Sequence, residues 1–367
     1  MDPIRKPREK FQWRTVRVVA CAVVVIASIV LPSSWIESCY SRSVYPWIQA
    51  VLVPAFGWTS IPIMGSLIVV LPIAIVILAT RNWRRARRNA IARGAIVLGG
   101  VFKTVRALLY IYTMFLMLWG FGYRREPIES RWQLGFELPT YGQVHEVQLR
   151  ILALLHRDCV PEDERDETRA MQSILDAELK MIAELEGWKP KPTLPKHPPA
   201  GTLMAIGIFG IVSPFTLEAN VERALPPPFR LGISGHELAH IFGYCGEADA
   251  NVVSFVAGLR AEDPFARYAT ALTMLRYTGS HKHLEDSMWV FLHLPKQAKD
   301  DLAALRSASA DHRIPALADL SHAMNDRYLK TQGVKLGVDD YSRGYTLFVR
   351  AWARGLVELP PPYASGK

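Results

Sequence analysis

Apolar residues crowd the first third of this chain and become periodic after it. Three long apolar runs come first: residues 16–35 (VRVVACAVVVIASIVLPSSW), 58–80 (WTSIPIMGSLIVVLPIAIVILAT) and 95–123, through LLYIYTMFLMLWGFGY. Each supplies the roughly 20 mostly apolar residues that a bilayer-spanning helix needs, so the pattern predicts three transmembrane helices. Lys103 and Arg106 fall in the first half of the third run. Their side chains would snorkel to the interface, which places the core of that span from about Ala107 onward. The first run also has the form of a signal peptide. No small-x-small cleavage site follows it, so an uncleaved anchor is expected.

Beyond Tyr123 the apolar positions recur at helical spacing. VHEVQLRILALLHR (144–157) predicts an amphipathic helix, and residues 161–188 predict a second, charged one. KPKPTLPKHPPAG (189–201) is too rich in proline for regular structure and reads as a linker or surface loop. LMAIGIFGIV (203–212), short and β-branched, is the best strand candidate. An extended, proline-broken stretch follows, then a helix around residues 236–240, another from about Glu247 to Ala261, and mostly helical sequence to the end. No repeat of fixed period is present. The expected architecture is mainly α. A three-span anchor with a cytoplasmic N-terminus covers residues 1–123, a helical connector with the proline-rich linker covers 124–200, and an α-rich, zincin-like α+β domain with a small sheet covers 201–367.

Half the residues are hydrophobic and the net charge is +9. The positive charge follows the spans. Arg5, Lys6, Arg8, Lys10, Arg14 and Arg17 precede or enter the first, and Arg81, Arg84, Arg85, Arg87, Arg88 and Arg93 separate the second from the third. Only Arg42 lies between the first and second. Basic flanks stay on the cytoplasmic side, so everything after Tyr123 is expected outside. Arg124 and Arg125 oppose this locally but are outnumbered. Basic residues flanking apolar spans are not a nucleic-acid footprint, and no nucleic-acid partner is expected. Cys39 and Cys159 would both lie outside and within reach of pairing, although nothing in their spacing demands it.

The candidate chemistry sits in GHELAHIFGYCGEADAN (235–251). In a helix, His236 and His240 are one turn apart on one face and can hold one metal ion. Glu237 then stands where zinc hydrolases place the general base. A catalytic zinc needs a third protein ligand and an open position. The glycines at 243 and 246 break the helix, and a turn there can fold a second helix back so that Glu247 reaches the metal. Asp249 is the rival ligand and is expected instead to hold a histidine Nδ1–H, while Asn251, one turn beyond Glu247, is expected to orient a ligand. The variant with a third histidine after the glycine is excluded, because Gly246 occupies that position. Cys245 is a weaker ligand candidate. His281 and His283 read as a solvated loop. Tyr341 and Tyr345 have the chemistry to polarise a carbonyl but more often pack. A strand before the helix would line a peptide cleft, with Glu218 and Asn220 candidates for its edge.

WGFGYRR (119–125), SPFTLEAN (213–220), HELAH (236–240), EADAN (247–251), RYATAL (267–272) and DYSRGY (340–345) together resemble a family of bacterial membrane proteins, the domain of unknown function 3810 family, with gluzincin-like features. The likeness covers most of the chain. It departs at Ile241 and Cys245, where a polar and a variable residue are expected. The EADAN element also resembles the third-ligand helix of the regulatory peptidases that cleave repressors, which again implies Glu247 as ligand. The expectation is therefore a membrane-anchored zinc metallopeptidase of the bacterial inner membrane, with its domain on the periplasmic side and a peptide or protein as substrate. The alternative is a membrane-anchored zinc-binding scaffold or sensor that cleaves nothing.

Overall fold

The structure is a computed structural model that describes residues 5–63, 65–66, 73, 76–77, 79–81, 83–84, 93–278 and 284–364. It is mainly helical. In chain order, and leaving short helical turns unlabelled, α1 is Arg5–Val30, α2 Tyr45–Gly57, α3 Arg93–Leu118, α4 Tyr141–Arg157 and α5 Glu167–Glu186. Then come β1 Gly210–Val212, β2 Ala219–Val221, α6 Pro227–Ile241 and α7 Glu247–Leu259. The chain continues with α8 Pro264–Thr278, α9 Leu284–Leu292, α10 Lys296–His312, α11 Pro315–Thr331 and α12 Asp340–Ala353.

The N-terminal third departs from the three-span expectation. Among the described residues one helix is long and apolar enough to cross a membrane by itself, Leu98–Leu118 within α3. The first run qualifies only as a pair, Thr15–Val30 with Ser33–Gly57, bent by 113°. Pro32 lies at the bend, where it cannot continue the hydrogen-bond ladder. The described residues therefore give one or two candidate spans, and residues 64, 67–72, 74, 75 and 78 of the second run lie outside the described residues. The third run also ends early. Its helix stops at Leu118 and residues 120–124 form a tight 3-10 turn, so Trp119 leaves the helix axis.

One apolar core runs through the remainder. Ile36, Tyr45, Trp119, Leu152, Ile182, Phe242, Val253 and Phe348 all belong to it, so stretches separated in the sequence at Tyr123 and Ala200 contribute to it together. At its centre α6 is buried along nearly its whole length and packs on α5, α7 and α8. Pro226 to Pro228 start this helix: a proline in the first turn gives up an N–H that has no intrahelical partner there. The sheet is a two-stranded antiparallel pair with Ile211 opposite Asn220. The strand expected over 203–212 is shortened to its last three residues, and 204–206 turn as a 3-10 helix. The proline-rich segment supplies one rung of regular pairing after all: Lys196 N–H donates to Ala219 O at 2.7 Å and Lys196 O accepts from Val221 N–H at 2.8 Å.

Glu178 of α5 is fully buried, and neither carboxyl oxygen has a hydrogen-bond partner among the described residues. Burial pushes its pKa well above the ordinary 4.5. A raised carboxyl contributes its full stability below the unfolded-state pKa and loses it as pH rises toward the folded-state value. Glu178→Gln is therefore expected to raise the melting temperature at pH 8 more than at pH 5. A gap of equal size at the two pH values contradicts this assignment.

Candidate metal site

The site begins with the end of α6. His236 and His240 project from one face, ring centroids 4.6 Å apart and nearly perpendicular. The helix stops at Ile241, where the last carbonyls need partners. Tyr45 Oη–H and Gln49 Nε2–H, both from α2, donate to Ile241 O at 2.7 and 3.1 Å. Gly243 follows with φ +93°, a conformation that side-chain-bearing residues rarely adopt. Arg125 Nη1–H donates to Gly243 O at 3.1 Å. The turn then closes on the helix itself, with His240 Nδ1 2.7 Å from Tyr244 O.

This turn brings the start of α7 back onto the histidines. Glu247 Oε2 lies 3.2 Å from His236 Nε2 and 3.2 Å from His240 Nε2. The three ligand atoms lie within 4.8 Å of one another, and all three residues are buried. No other group of His, Cys, Asp or Glu among the described residues is arranged in this way. Because the Tyr244 carbonyl can only accept, His240 carries a proton on Nδ1, and its Nε2 faces the carboxylate, where it takes a second proton or a cation. Two imidazole nitrogens and one carboxylate oxygen converge on one point, where a shared proton or a cation can join them, and His236 Nδ1 has no partner among the described residues that would hold the ring proton there. The set thus fits zinc: His, His and Glu as ligands, and a cleft on one side for a fourth position.

Electrostatics follow the same geometry. Burial acts to lower the pKa of His240, but the Glu247 charge and hydrogen bond outweigh it and raise the value to about 9. Burial acts to raise Glu247, yet the two histidines hold it well below the ordinary carboxylate range. His236 is lowered, chiefly by burial. Glu237 lies outside the trio. Burial pushes it up to about 8, against a lowering by His240.

Glu237 faces a cleft with two lobes. One lobe, about 400 Å³, runs from Phe115, Trp119 and Tyr123 past His236, His240 and Glu247 to Tyr328. The other, about 430 Å³, is lined by Arg276, His322 and Asp339. His236, Glu237, Gly210 and Tyr341 line both. β1 passes so close that a Cβ added to Gly210 would land on the Glu237 carboxylate.

The other expected residues separate into those at the site and those elsewhere. Asn251 donates through Nδ2–H to Tyr341 O at 2.9 Å, and its side chain supports the charged form of His236. The Tyr341 ring stacks on His236 with centroids 6.0 Å apart, whereas Tyr345 is buried in the core. Asp249 does not hold a histidine. Its carboxylate lies 3.4 Å from Arg131 and 3.6 Å from Arg343, while His240 Nδ1 faces Tyr244 O and His236 Nδ1 has no partner among the described residues. Glu218 is not at the cleft edge. It is buried, with Lys196 Nζ at 2.5 Å and Thr216 Oγ1 at 2.7 Å. Asn220 turns its amide onto Glu218 O. Cys245 is no ligand; its thiol points to Trp119 O at 3.6 Å. Cys39 and Cys159 are unpaired. His281 and His283 lie outside the described residues.

Sequence reasoning missed a buried charge cluster that holds the turn. Glu186, at the end of α5, accepts from Trp132 Nε1–H at 3.0 Å, Tyr244 Oη–H at 3.2 Å and Arg125 Nη2–H at 3.3 Å, and pairs with Arg131. Glu37 accepts from Arg125 and Arg42. Arg125 and Arg131 also lie over the Tyr244 ring, 5.4 and 5.2 Å from its centroid. The available signal was Arg125 within WGFGYRR, a charge beside an apolar run, which reads equally well as topology. Arg124 stays outside this cluster and donates instead to Ser28 O and Ile29 O at the end of α1.

Fold and site together define a helical protein that holds a buried His-His-Glu trio beside the end of a membrane-length helix. The chain belongs to the family described as "Protein of unknown function (DUF3810)", whose model matches residues 40–349. No curated protein and no solved structure matches it.

Proposed function

We infer that this chain is a membrane-anchored zinc metallopeptidase. The observation that carries the reading is the convergence of two histidine Nε2 atoms on one Glu247 oxygen, 3.2 Å from each, with Glu237 beside them in an open cleft. A purely structural site has no use for a buried carboxylate aimed into a cleft. His236, His240 and Glu247 would hold the ion, and a bound zinc supplies Lewis-acid polarisation of a carbonyl and acidifies water. Glu237 takes a proton from the attacking water on its carboxylate and returns it to the leaving amine. Tyr341 packs on His236 and fixes its plane, and Asn251 fixes the Tyr341 backbone. The substrate class is a peptide or protein.

The anchoring part of the proposal rests on the helices. Arg124 joins the ends of α1 and α3 on the side of the metal site, while arginine-rich sequence lies at the start of both. By the positive-inside rule the site then faces away from the cytoplasm, which in a bacterial inner membrane is the periplasm. The chain has to return across the bilayer between α2 and α3, giving a multi-pass anchor with a cytoplasmic N-terminus.

Metal analysis of the purified protein, wild type beside His236→Ala, tests the centre of this reading. About one zinc per chain, lost in the variant, is expected. Wild-type protein that takes up no metal even after incubation with zinc excludes the enzyme and the scaffold alike.

A further inference from the structure

The cleft wall opposite the metal trio is α11, and this helix has an unpartnered apolar edge. Ala318 and Leu329 are buried, and Ser321 and Asn325 line the cleft. Beside them Leu317, Leu320 and Met324 are 43%, 58% and 64% exposed. Their spacing places them in one stripe along the helix, bordering its cleft face. A soluble surface tolerates single exposed apolar residues, but a row of them on one helix marks an interaction surface.

The position of α11 relative to α3 identifies the occupant. Tyr328 packs edge-on against Phe115, in the last turns of α3, with centroids 6.1 Å apart. It also meets Tyr123 edge-on at 6.0 Å, with the two hydroxyls 3.1 Å apart. The residues just after it, Thr331 to Gly333, share a cavity with Tyr112 of α3 and with Ser28 and Ile29 of α1. The end of α11 is thus level with the last turns of the membrane-length helix. There the α3 surface is itself apolar and exposed, at Ile111, Met114 and Met117. Tyr123 and Tyr328 meet at this level, where they close the end of the cleft. The α11 stripe lies one to three turns before this junction, on the helix whose end packs against α3.

We propose that α11 lies in the membrane interface with Leu317, Leu320 and Met324 in lipid, so that the cleft opens at the bilayer surface and takes the membrane-proximal stretch of an anchored polypeptide. The two lobes fit such a chain. The lobe toward α3, walled by Phe115, Trp119, Ile211 and Val212, receives an apolar residue leaving the bilayer. The lobe with Arg276 and His322 receives the following polar residues. A freely diffusing peptide gains nothing from the lipid edge. An anchored one arrives already concentrated and oriented along it.

The substrate assignment rests on the peptidase reading, and the test separates the two. The full chain is reconstituted in phosphatidylethanolamine/phosphatidylglycerol vesicles. A nitroxide on Leu320→Cys, compared with protein lacking that cysteine, reports its depth through relaxation by oxygen against a water-soluble nickel complex. In parallel, a peptide library is presented free or fused to a transmembrane helix, to wild type and to the L320D/M324D variant. The expected result is a lipid-exposed label, with the variant losing about tenfold or more on anchored peptides and unchanged on free ones. A water-exposed label overturns the proposal. So does a variant that cleaves anchored peptides at the wild-type rate. A lipid-exposed label on a wild-type protein that cleaves neither library upholds the interfacial helix and defeats the peptidase reading together with its substrate.

Discussion

On the proposed peptidase reading, Glu237→Gln is expected to leave the zinc content unchanged and to lower kcat/KM by about 10²–10⁴-fold. The reason is position. Glu237 belongs to the metal-binding helix, yet it is absent from the His236, His240 and Glu247 trio. Its carboxylate stands in both lobes of the cleft, against the backbone of β1 at Gly210. Gln has the same shape but no basic oxygen, so packing and metal binding survive while proton transfer does not. Metal analysis and a turnover assay on the same preparation make the comparison. Zinc bound in both proteins with equal turnover removes Glu237 from the mechanism. Zinc lost along with turnover moves Glu237 from proton transfer to holding the site together.

Glu186→Ala costs about 3–5 kcal/mol of stability, the cost of breaking a buried ion pair from one side. The Arg131 and Glu186 side chains are each 1% exposed, and Arg125 is 5% exposed. Removing the carboxylate leaves the buried Arg131 guanidinium with Asp249, at 3.4 Å, as its remaining acidic partner, takes one of two acidic partners from Arg125, and frees Tyr244 Oη and Trp132 Nε1. At about 2–4 °C per kcal/mol for a domain of roughly 200 residues, thermal unfolding shifts down by about 6–20 °C. The effect extends to the proposed metal site, because Tyr244 supplies the carbonyl that fixes the His240 tautomer. Loss of such a support lowers metal affinity by about 10–100-fold. Glu186→Gln keeps a hydrogen-bond acceptor and is expected to fall between wild type and Glu186→Ala on both readouts. A melting temperature unchanged in Glu186→Ala shows that the cluster is not what holds the turn.

The grouping of His236, His240 and Glu247 was legible in the sequence because it is set by spacing. Two histidines four residues apart share a helix face whatever surrounds them. Two glycines three residues apart provide a turn, and the trio found in the structure is the one that this spacing allows. The mainly helical character was legible for the same reason, since an amphipathic period survives in any context.

What spacing could not supply was partnership across the chain. Asp249 stands near enough in sequence to serve a histidine, but Arg131 and Arg343 reach it from distant segments. Glu218 looked like a cleft residue, and a lysine from the proline-rich segment draws it into the core. Residues 36–57 read as a loop between spans, yet Tyr45 and Gln49 cap the metal helix. The apolar run ending at Tyr123 read as a membrane span to its last residue, yet Trp119 and Tyr123 turn out of the helix and wall the cleft. Hydropathy scores how willingly a residue leaves water and does not distinguish lipid from protein as its destination. The sequence by itself determined which residues can form the trio and the helices that carry them. Only the tertiary structure decided which buried charges meet, where each apolar run ends, and that α11 closes the cleft beside α3, because those choices depend on contacts between separate segments, from 22 positions apart for Lys196 and Glu218 to 196 for Tyr45 and Ile241.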